Sequence, residues 1–171
     1  LENIYIAQES WGEGVQKTFI TKFELNNGEI EFMESGEVKG YILNQFSMDE
    51  HDGYFRIATT VGRSSSNNVY ILDENLELVG SLEDIAPGES IYSVRFINDR
   101  GYLVTFKKID PLFVIDLSNL SNPEILGELK IPGYSDYLHP YDETHLIGIG
   151  KEAVEAESGN FAWYQGVKMA I

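Results

Sequence analysis

Short runs rich in Val, Ile, Tyr, Phe and Thr, many with apolar and polar residues in alternation, recur along the whole chain between turns made of Gly, Asn, Asp and Pro. A period of two puts successive side chains on opposite faces, which is the pattern of β-strands and not of helices. The pattern predicts strands over Asn3 to Gln8, Thr18 to Leu25, Ile30 to Met33, Ile42 to Met48, Tyr54 to Val61, Asn68 to Leu72 and Leu76 to Leu82. It continues over Ile91 to Ile97, Tyr102 to Phe106, Leu112 to Leu117, Glu124 to Ile131, Tyr137 to Pro140, His145 to Ile149 and from Val167 onward. Only Lys151 to Glu157 (KEAVEAE) is compatible with a helix, and Ser158-Gly159-Asn160 beside it makes an irregular loop the competing expectation.

The runs repeat. QFSMDEHDGYFRIATT, SVRFINDRGYLVTFKK and DYLHPYDETHLIGIGKE share a strand, a polar turn and a second strand; NNVYILDEN then matches PLFVIDLSN, and LELVGSLED matches PEILGELKI. Gly53 and Gly101 are 48 residues apart, Tyr70 and Phe113 are 43 apart, and Gly80 and Gly127 are 47 apart. A period in the forties with four strands per unit is the spacing of propeller blades. The fold class expected is therefore all-β, a β-propeller of about three and a half four-stranded blades over residues 1–39, 40–87, 88–132 and 133–171. With strands lettered A to D from the inside outward, the first unit supplies B to D and the last supplies A, B and part of C. Propellers close with 4 to 8 blades, so the chain is expected to be a fragment of a larger propeller whose open blade edges favour self-association.

Turn chemistry agrees with this reading. Asp52-Gly53 and Arg100-Gly101 are expected to place Gly where a tight turn needs positive φ, and Asn26-Asn27-Gly28 and Asp73-Glu74-Asn75 are turn formers. Pro87, Pro111, Pro123 and Pro132 fall at strand boundaries, where a missing N–H does no harm.

The stretch from Thr18 to Gly150, above all DPLFVIDLS and SDYLHPYDETHLIGIG, resembles the predicted secreted prokaryotic proteins that carry a C-terminal β-propeller domain distantly related to WD-40 repeats. The resemblance implies a propeller in a secreted or cell-surface protein. It carries over no catalytic residue, and the Trp-Asp and Gly-His dipeptides of WD-40 repeats are absent.

Charge narrows the partners. With 12 Lys and Arg against 28 Asp and Glu, the formal charge is -16, which sets nucleic acid and anionic membrane surfaces aside. There is no Cys, hence no disulfide and no thiolate chemistry. No apolar run approaches the roughly 20 residues that span a bilayer, so no membrane insertion is expected of this segment. The numbering begins at Leu1 within what reads as a strand, and a segment of a longer protein is expected.

Candidate chemistry is sparse. Asp49, Glu50, His51 and Asp52 before Gly53 are the residue types that hold Ca²⁺, but the alternate ligand spacing and distal Glu of a calcium loop are missing, and a hairpin turn is the expectation. His51 lies in a turn of one unit while His139 and His145 flank a turn two units away, and His139 reads as the end of an inner strand with its ring bonded to a backbone carbonyl. Ser64-Ser65-Ser66 lacks a nucleophile-elbow context and reads as loop. No metal, cofactor or catalytic residue is therefore assigned. The connections Ser10 to Lys17, Gly62 to Asn67, Lys107 to Pro111 and Lys151 to Gly166 are expected on one rim as irregular loops. On that rim Trp11, Arg63, Trp163 and Tyr164 are the candidate ligand-binding residues, because aromatic side chains supply contact area to proteins and stack on sugar rings. The expected function is a non-catalytic extracytoplasmic scaffold or binding module for protein or carbohydrate. The alternative is a hydrolase or lyase using Asp49, His51, His139 or Asp142 at the channel mouth, with Ca²⁺ as an optional cofactor.

Overall fold

The computed structural model describes residues 3–12, 14–62, 66–106, 110–131, 133–142, 144–155 and 162–171. Among them fourteen strands form four antiparallel sheets. Sheet 1 holds β1 (Asn3–Gly12), β2 (Val15–Asn26) and β3 (Glu29–Lys39). Sheet 2 holds β4 (Met48–His51), β5 (Tyr54–Val61), β6 (Ser66–Leu72) and β7 (Leu78–Ile85). Sheet 3 holds β8 (Ser90–Ile97), β9 (Arg100–Phe106), β10 (Asp110–Asp116) and β11 (Glu124–Ile131). Sheet 4 holds β12 (Tyr134–Pro140), β13 (Leu146–Glu155) and β14 (Ala162–Ala170). In every sheet, strands adjacent in sequence pair with one another. Because β3, β7 and β11 each lead into the next sheet, β1 corresponds to β5, β9 and β13. The first strands β8 and β12 of sheets 3 and 4 run in contact, which marks the inner edge of the stack.

Apolar side chains fill the spaces between sheets. Ala58, Val69 and Ile71 of sheet 2 meet Val94, Leu103 and Phe113 of sheet 3 in one cluster. Ile20 and Val38 of sheet 1 meet Phe55, Ile57 and Tyr70 in a second, where the Tyr5 ring stacks on Phe55 at 4.4 Å. Buried polar groups stitch the seams: Asn67 donates to the carbonyls of Ile85 and Glu89, and its own Oδ1 accepts from Thr60 Oγ1. That arrangement ties the end of sheet 2 to the start of β8, where the Ile91 N–H donates to the same threonine.

One close approach recurs. A Cβ on Gly36 of β3 would lie 2.9 Å from the Leu76 carbonyl, and a Cβ on Gly80 of β7 would lie 2.2 Å from that of Leu120. In both cases the loop between the third and fourth strands of the following sheet rests on the glycine. A side chain there would displace backbone, so glycine is a steric requirement at the seam.

Several expectations need correction. The inner strand expected over Ile42 to Met48 begins only at Met48, because Gln45–Ser47 forms a 3-10 turn. Asn44 caps that turn by accepting from the Phe46 N–H at 2.9 Å, in an Asn-x-x-Ser capping box that competes with the extended backbone. Lys151 to Glu155 is neither helix nor loop, since it continues β13 and pairs with β14, and ladder bonds override its helical propensity. Gly101 lies inside β9; the hairpin turn is Asn98-Asp99, with Asn98 at φ 48°, and Ile97 pairs with Arg100. The other tight turn is as expected, with Asp52 at φ 50° and Gly53 at φ 81°. Ser10 to Gly12 and Val15 to Lys17 are strand residues, so this connection is a tight hairpin and not an irregular loop.

Candidate functional site

The inner edge of sheets 2 to 4 gathers side chains that the sequence left apart. Arg95 on β8 places its guanidinium 4.0 Å over the Phe46 ring and 5.3 Å from the Tyr137 ring. Its Nε donates to the Leu138 carbonyl on β12 at 2.9 Å, so one cation joins sheets 3 and 4 to the 3-10 turn that leads into sheet 2. Phe46 and Tyr137 meet edge to face at 5.6 Å, and the Tyr137 hydroxyl lies 3.2 Å from Nδ1 of His139. Stacking on two rings holds the guanidinium by its charge, and among the described residues no carboxylate pairs with it, which gives an aromatic and cationic strip along the inner edge. The expectation that His139 bonds a backbone carbonyl gives way to this contact with the phenol.

Arg56 on β5 crosses the previous seam. It is 1% exposed, its Nε and Nη2 donate to the two oxygens of Asp49 at 2.8 and 2.6 Å, and Nη1 donates to the Asn98 carbonyl in the turn of sheet 3. The carboxylate suspected of chemistry is thus committed to a guanidinium fork.

The other candidates for chemistry have separate engagements. His51 Nε2 lies 3.7 Å from Asp52 and 3.6 Å from Asp99. Asp142 accepts from the Thr144 and His145 N–H groups and contacts the His145 ring at 2.8 Å; its pKa is lowered to about 2, chiefly by the Thr144 N–H bond and then by His145. Among the described residues no three His, Asp or Glu side chains gather where they could hold a metal ion. No helix among them is long and apolar enough to cross a membrane.

The expected rim is not a single site. Trp11 lies on β1 opposite Gln16 and is 71% exposed, while Trp163 lies on β14 opposite Val154 and is 61% exposed, so the two belong to the first and last sheets. Tyr164 is also a β14 residue, paired with Ala153, and Arg63 lies outside the described residues. Arg95, Phe46 and Tyr137 went unselected, although an Arg amid the apolar SVRFI is a signal of a cation placed for a purpose.

A second feature continues the inner edge past sheet 2. A groove of about 580 Å³ lies between β1 and β4, with Tyr5, Met48 and Phe55 as its apolar lining and Asn3, Glu50 and Asp52 as its polar one. Asn3 Nδ2 donates to both oxygens of Glu50 at 3.0 Å. Burial, and after it the charge of Glu50, push the Tyr5 phenol well above its ordinary pKa.

Comparison with known proteins agrees with the geometry. Over 150 residues the chain is 51% identical to the uncharacterized protein MJ1554 of Methanocaldococcus jannaschii, a stretch that covers 85% of this chain and 24% of that protein. It is 50% identical over 138 residues to an uncharacterized protein of Archaeoglobus fulgidus, covering 81% of this chain and 22% of the relative. The chain thus spans about a quarter of the length of the curated relatives it matches. The model of the family described as "Beta propeller domain" matches residues 1–171, and with the four stacked antiparallel meanders this makes the chain a member of the β-propeller domain family.

Proposed function

We propose that this chain is part of a non-catalytic, extracytoplasmic propeller scaffold that binds a protein ligand. The observation that carries this reading is the inner edge, where Arg95 and Tyr137 of sheets 3 and 4 join Phe46 of the 3-10 turn that leads into sheet 2 in one aromatic and cationic strip beside an open groove. Aromatic side chains and Arg are the residue types that anchor protein partners. The separate engagements of Asp49, His51, His139 and Asp142 support recognition without a chemical step. The extracytoplasmic placement rests on the resemblance to secreted propeller proteins. Exposed apolar side chains on sheet 1, among them Ile6, Phe19 and Phe32, support self-association of the chain, which sedimentation at increasing concentration measures.

A carbohydrate ligand is the second reading, favoured by Trp11: the exposed indole sits next to Gln16, whose Nε2 donates to Glu9 at 3.4 Å, and an indole face beside amide and carboxylate groups suits a sugar ring. Thermal unfolding against a panel of purified cell-envelope proteins, cell-wall glycans, Ca²⁺, Zn²⁺ and EDTA tests both readings. A rise in Tm with a protein that Arg95→Ala abolishes supports the first reading, and a rise with a glycan that Trp11→Ala abolishes supports the second. A metal shift reversed by EDTA, or turnover of chromogenic glycoside or ester substrates, overturns the non-catalytic reading.

A further inference from the structure

One turn carries a motif that the inner edge does not use. Of the eleven Asn in the chain, only Asn119 is followed at the second place by Ser or Thr, in Asn119-Leu120-Ser121, and Leu rather than Pro stands between them. An Asn two places before a hydroxyl residue is the acceptor triplet of N-glycosylation, and a sugar chain, being bulky and hydrated, requires that triplet on an exposed turn.

The fold meets that requirement. Asn119, Leu120 and Ser121 lie in the turn between β10 and β11, where the Asn122 N–H donates to the Asn119 carbonyl at 3.0 Å. The Leu120 side chain packs against the core between sheets 2 and 3, and the backbone of Leu120 and Ser121 rests on Gly80 of β7. Anchored there, the turn leaves Asn119 and Ser121 exposed. The Ser121 hydroxyl donates to Oδ1 of Asn119 at 2.9 Å, and among the described residues nothing accepts from its Nδ2. The amide oxygen is thus engaged by the hydroxyl, while the nitrogen that would carry the sugar is left to solvent.

The neighbouring sheet supplies an internal comparison. Its corresponding turn, between β6 and β7, carries Asn75-Leu76-Glu77, and the Leu76 carbonyl is set against Gly36 as that of Leu120 is against Gly80. Asn75 and Glu77 are exposed as well. The two turns share their packing, their exposure and the Asn-Leu pair but differ in the hydroxyl, so the packing of the turn does not account for Ser121.

We propose that Asn119 is an N-glycosylation acceptor that takes an oligosaccharide from a lipid-linked donor. Nδ2 attacks C1 of the first sugar; the C1–Nδ2 bond forms, the C1–O bond to the lipid phosphate breaks, the phosphate leaves with the electron pair, and one amide proton passes to a base of the transferase. The turn joins the third strand of its sheet to the outermost, so the glycan stands apart from Phe46, Arg95 and Tyr137 on the inner edge. This rests on the extracytoplasmic reading given above, since lipid-linked oligosaccharides are transferred outside the cytoplasm.

The test is mass spectrometry on the full-length protein purified from the cells that naturally make it, reading the tryptic peptide of residues 109–130. A peptide heavier by a sugar chain, located on Asn119 by electron-transfer fragmentation, is expected. Asn119→Gln and Ser121→Ala, each checked for folding by circular dichroism, are expected to return it to the bare mass, and Ser121→Thr to keep the sugar. A bare parent peptide, a sugar that persists in Ser121→Ala, attachment to Ser118 or Ser121, or an equal sugar on Asn75 overturns the proposal. Fractionation of the same cells separates the two readings: a bare peptide from protein in the envelope or medium removes the acceptor alone, whereas protein confined to the cytoplasm removes the extracytoplasmic placement and the acceptor with it.

Discussion

Arg56 grips Asp49 with a two-point fork across the β4–β5 pair while reaching the Asn98 carbonyl in the neighbouring sheet. The guanidinium is 1% exposed and the Asp49 side chain 32% exposed, so the two partners differ in what their loss leaves behind. Asp49→Ala strands a buried cation and is expected to cost about 3 kcal/mol or more in denaturant unfolding. Arg56→Met keeps the volume and leaves Asp49 and the exposed Asn98 to water, and its expected cost is about 1 kcal/mol. A larger loss in Arg56→Met than in Asp49→Ala contradicts this account.

The glycine seams make a paired prediction. Gly80→Ala forces a Cβ onto the Leu120 backbone and is expected to destabilise the chain by about 1–3 kcal/mol. Gly127, at the matching point of β11, has nothing within 4 Å of a built Cβ among the described residues, so Gly127→Ala is expected to be neutral or stabilising by up to about 1 kcal/mol. Equal effects in the two variants, compared by urea midpoint, rule out the seam as the cause.

Tyr70 is buried at the junction of sheets 1 and 2, and its hydroxyl has no hydrogen-bond partner among the described residues. Burial, with Glu83 and Asp84 nearby, holds that phenol protonated far above its ordinary range. Removing an unsatisfied buried group while keeping the ring relieves its desolvation cost. Tyr70→Phe is expected to leave stability unchanged or raise it by about 1 kcal/mol, and a loss of more than about 1 kcal/mol in thermal unfolding contradicts the geometry.

Asp142 supplies a pH dependence. Its folded pKa of about 2 lies below the ordinary 3.8, so its contribution is fully present above pH 3.8 and disappears as pH falls through about 2. Asp142→Ala is therefore expected to be less stable than the parent at pH 6, with the difference shrinking between about pH 4 and pH 2. A difference that stays constant across that window places its origin elsewhere.

The repeated hairpins were legible because alternation and turn chemistry act locally. FRIATT, YLVTF and FVIDL each show their strand directly, and Asp52-Gly53 shows its turn. Features that depend on two sheets meeting were not legible. Arg95 finds Phe46 and Tyr137 at separations of 49 and 42 residues, and no local pattern encodes that meeting. Trp11 and Trp163 were grouped by residue type and loop position, yet they lie on the first and last sheets. The KEAVEAE segment misled through propensity, which a strand partner overrules when ladder bonds become available. Asn44 carried a readable capping signal, but the apolar run around it favoured the strand.

Gly36 and Gly80 give the stack a direction. Sheets 1 and 2 each offer a bare glycine backbone on their last strand, and the turn before the last strand of the following sheet rests on it. A sheet set in the reverse sense would bring turn against turn and glycine against glycine, so the stack has a polarity like that of tiles with a tongue on one side and a slot on the other. At these two seams the order of neighbouring sheets is thus written into backbone shape as well as into the apolar side chains packed between them.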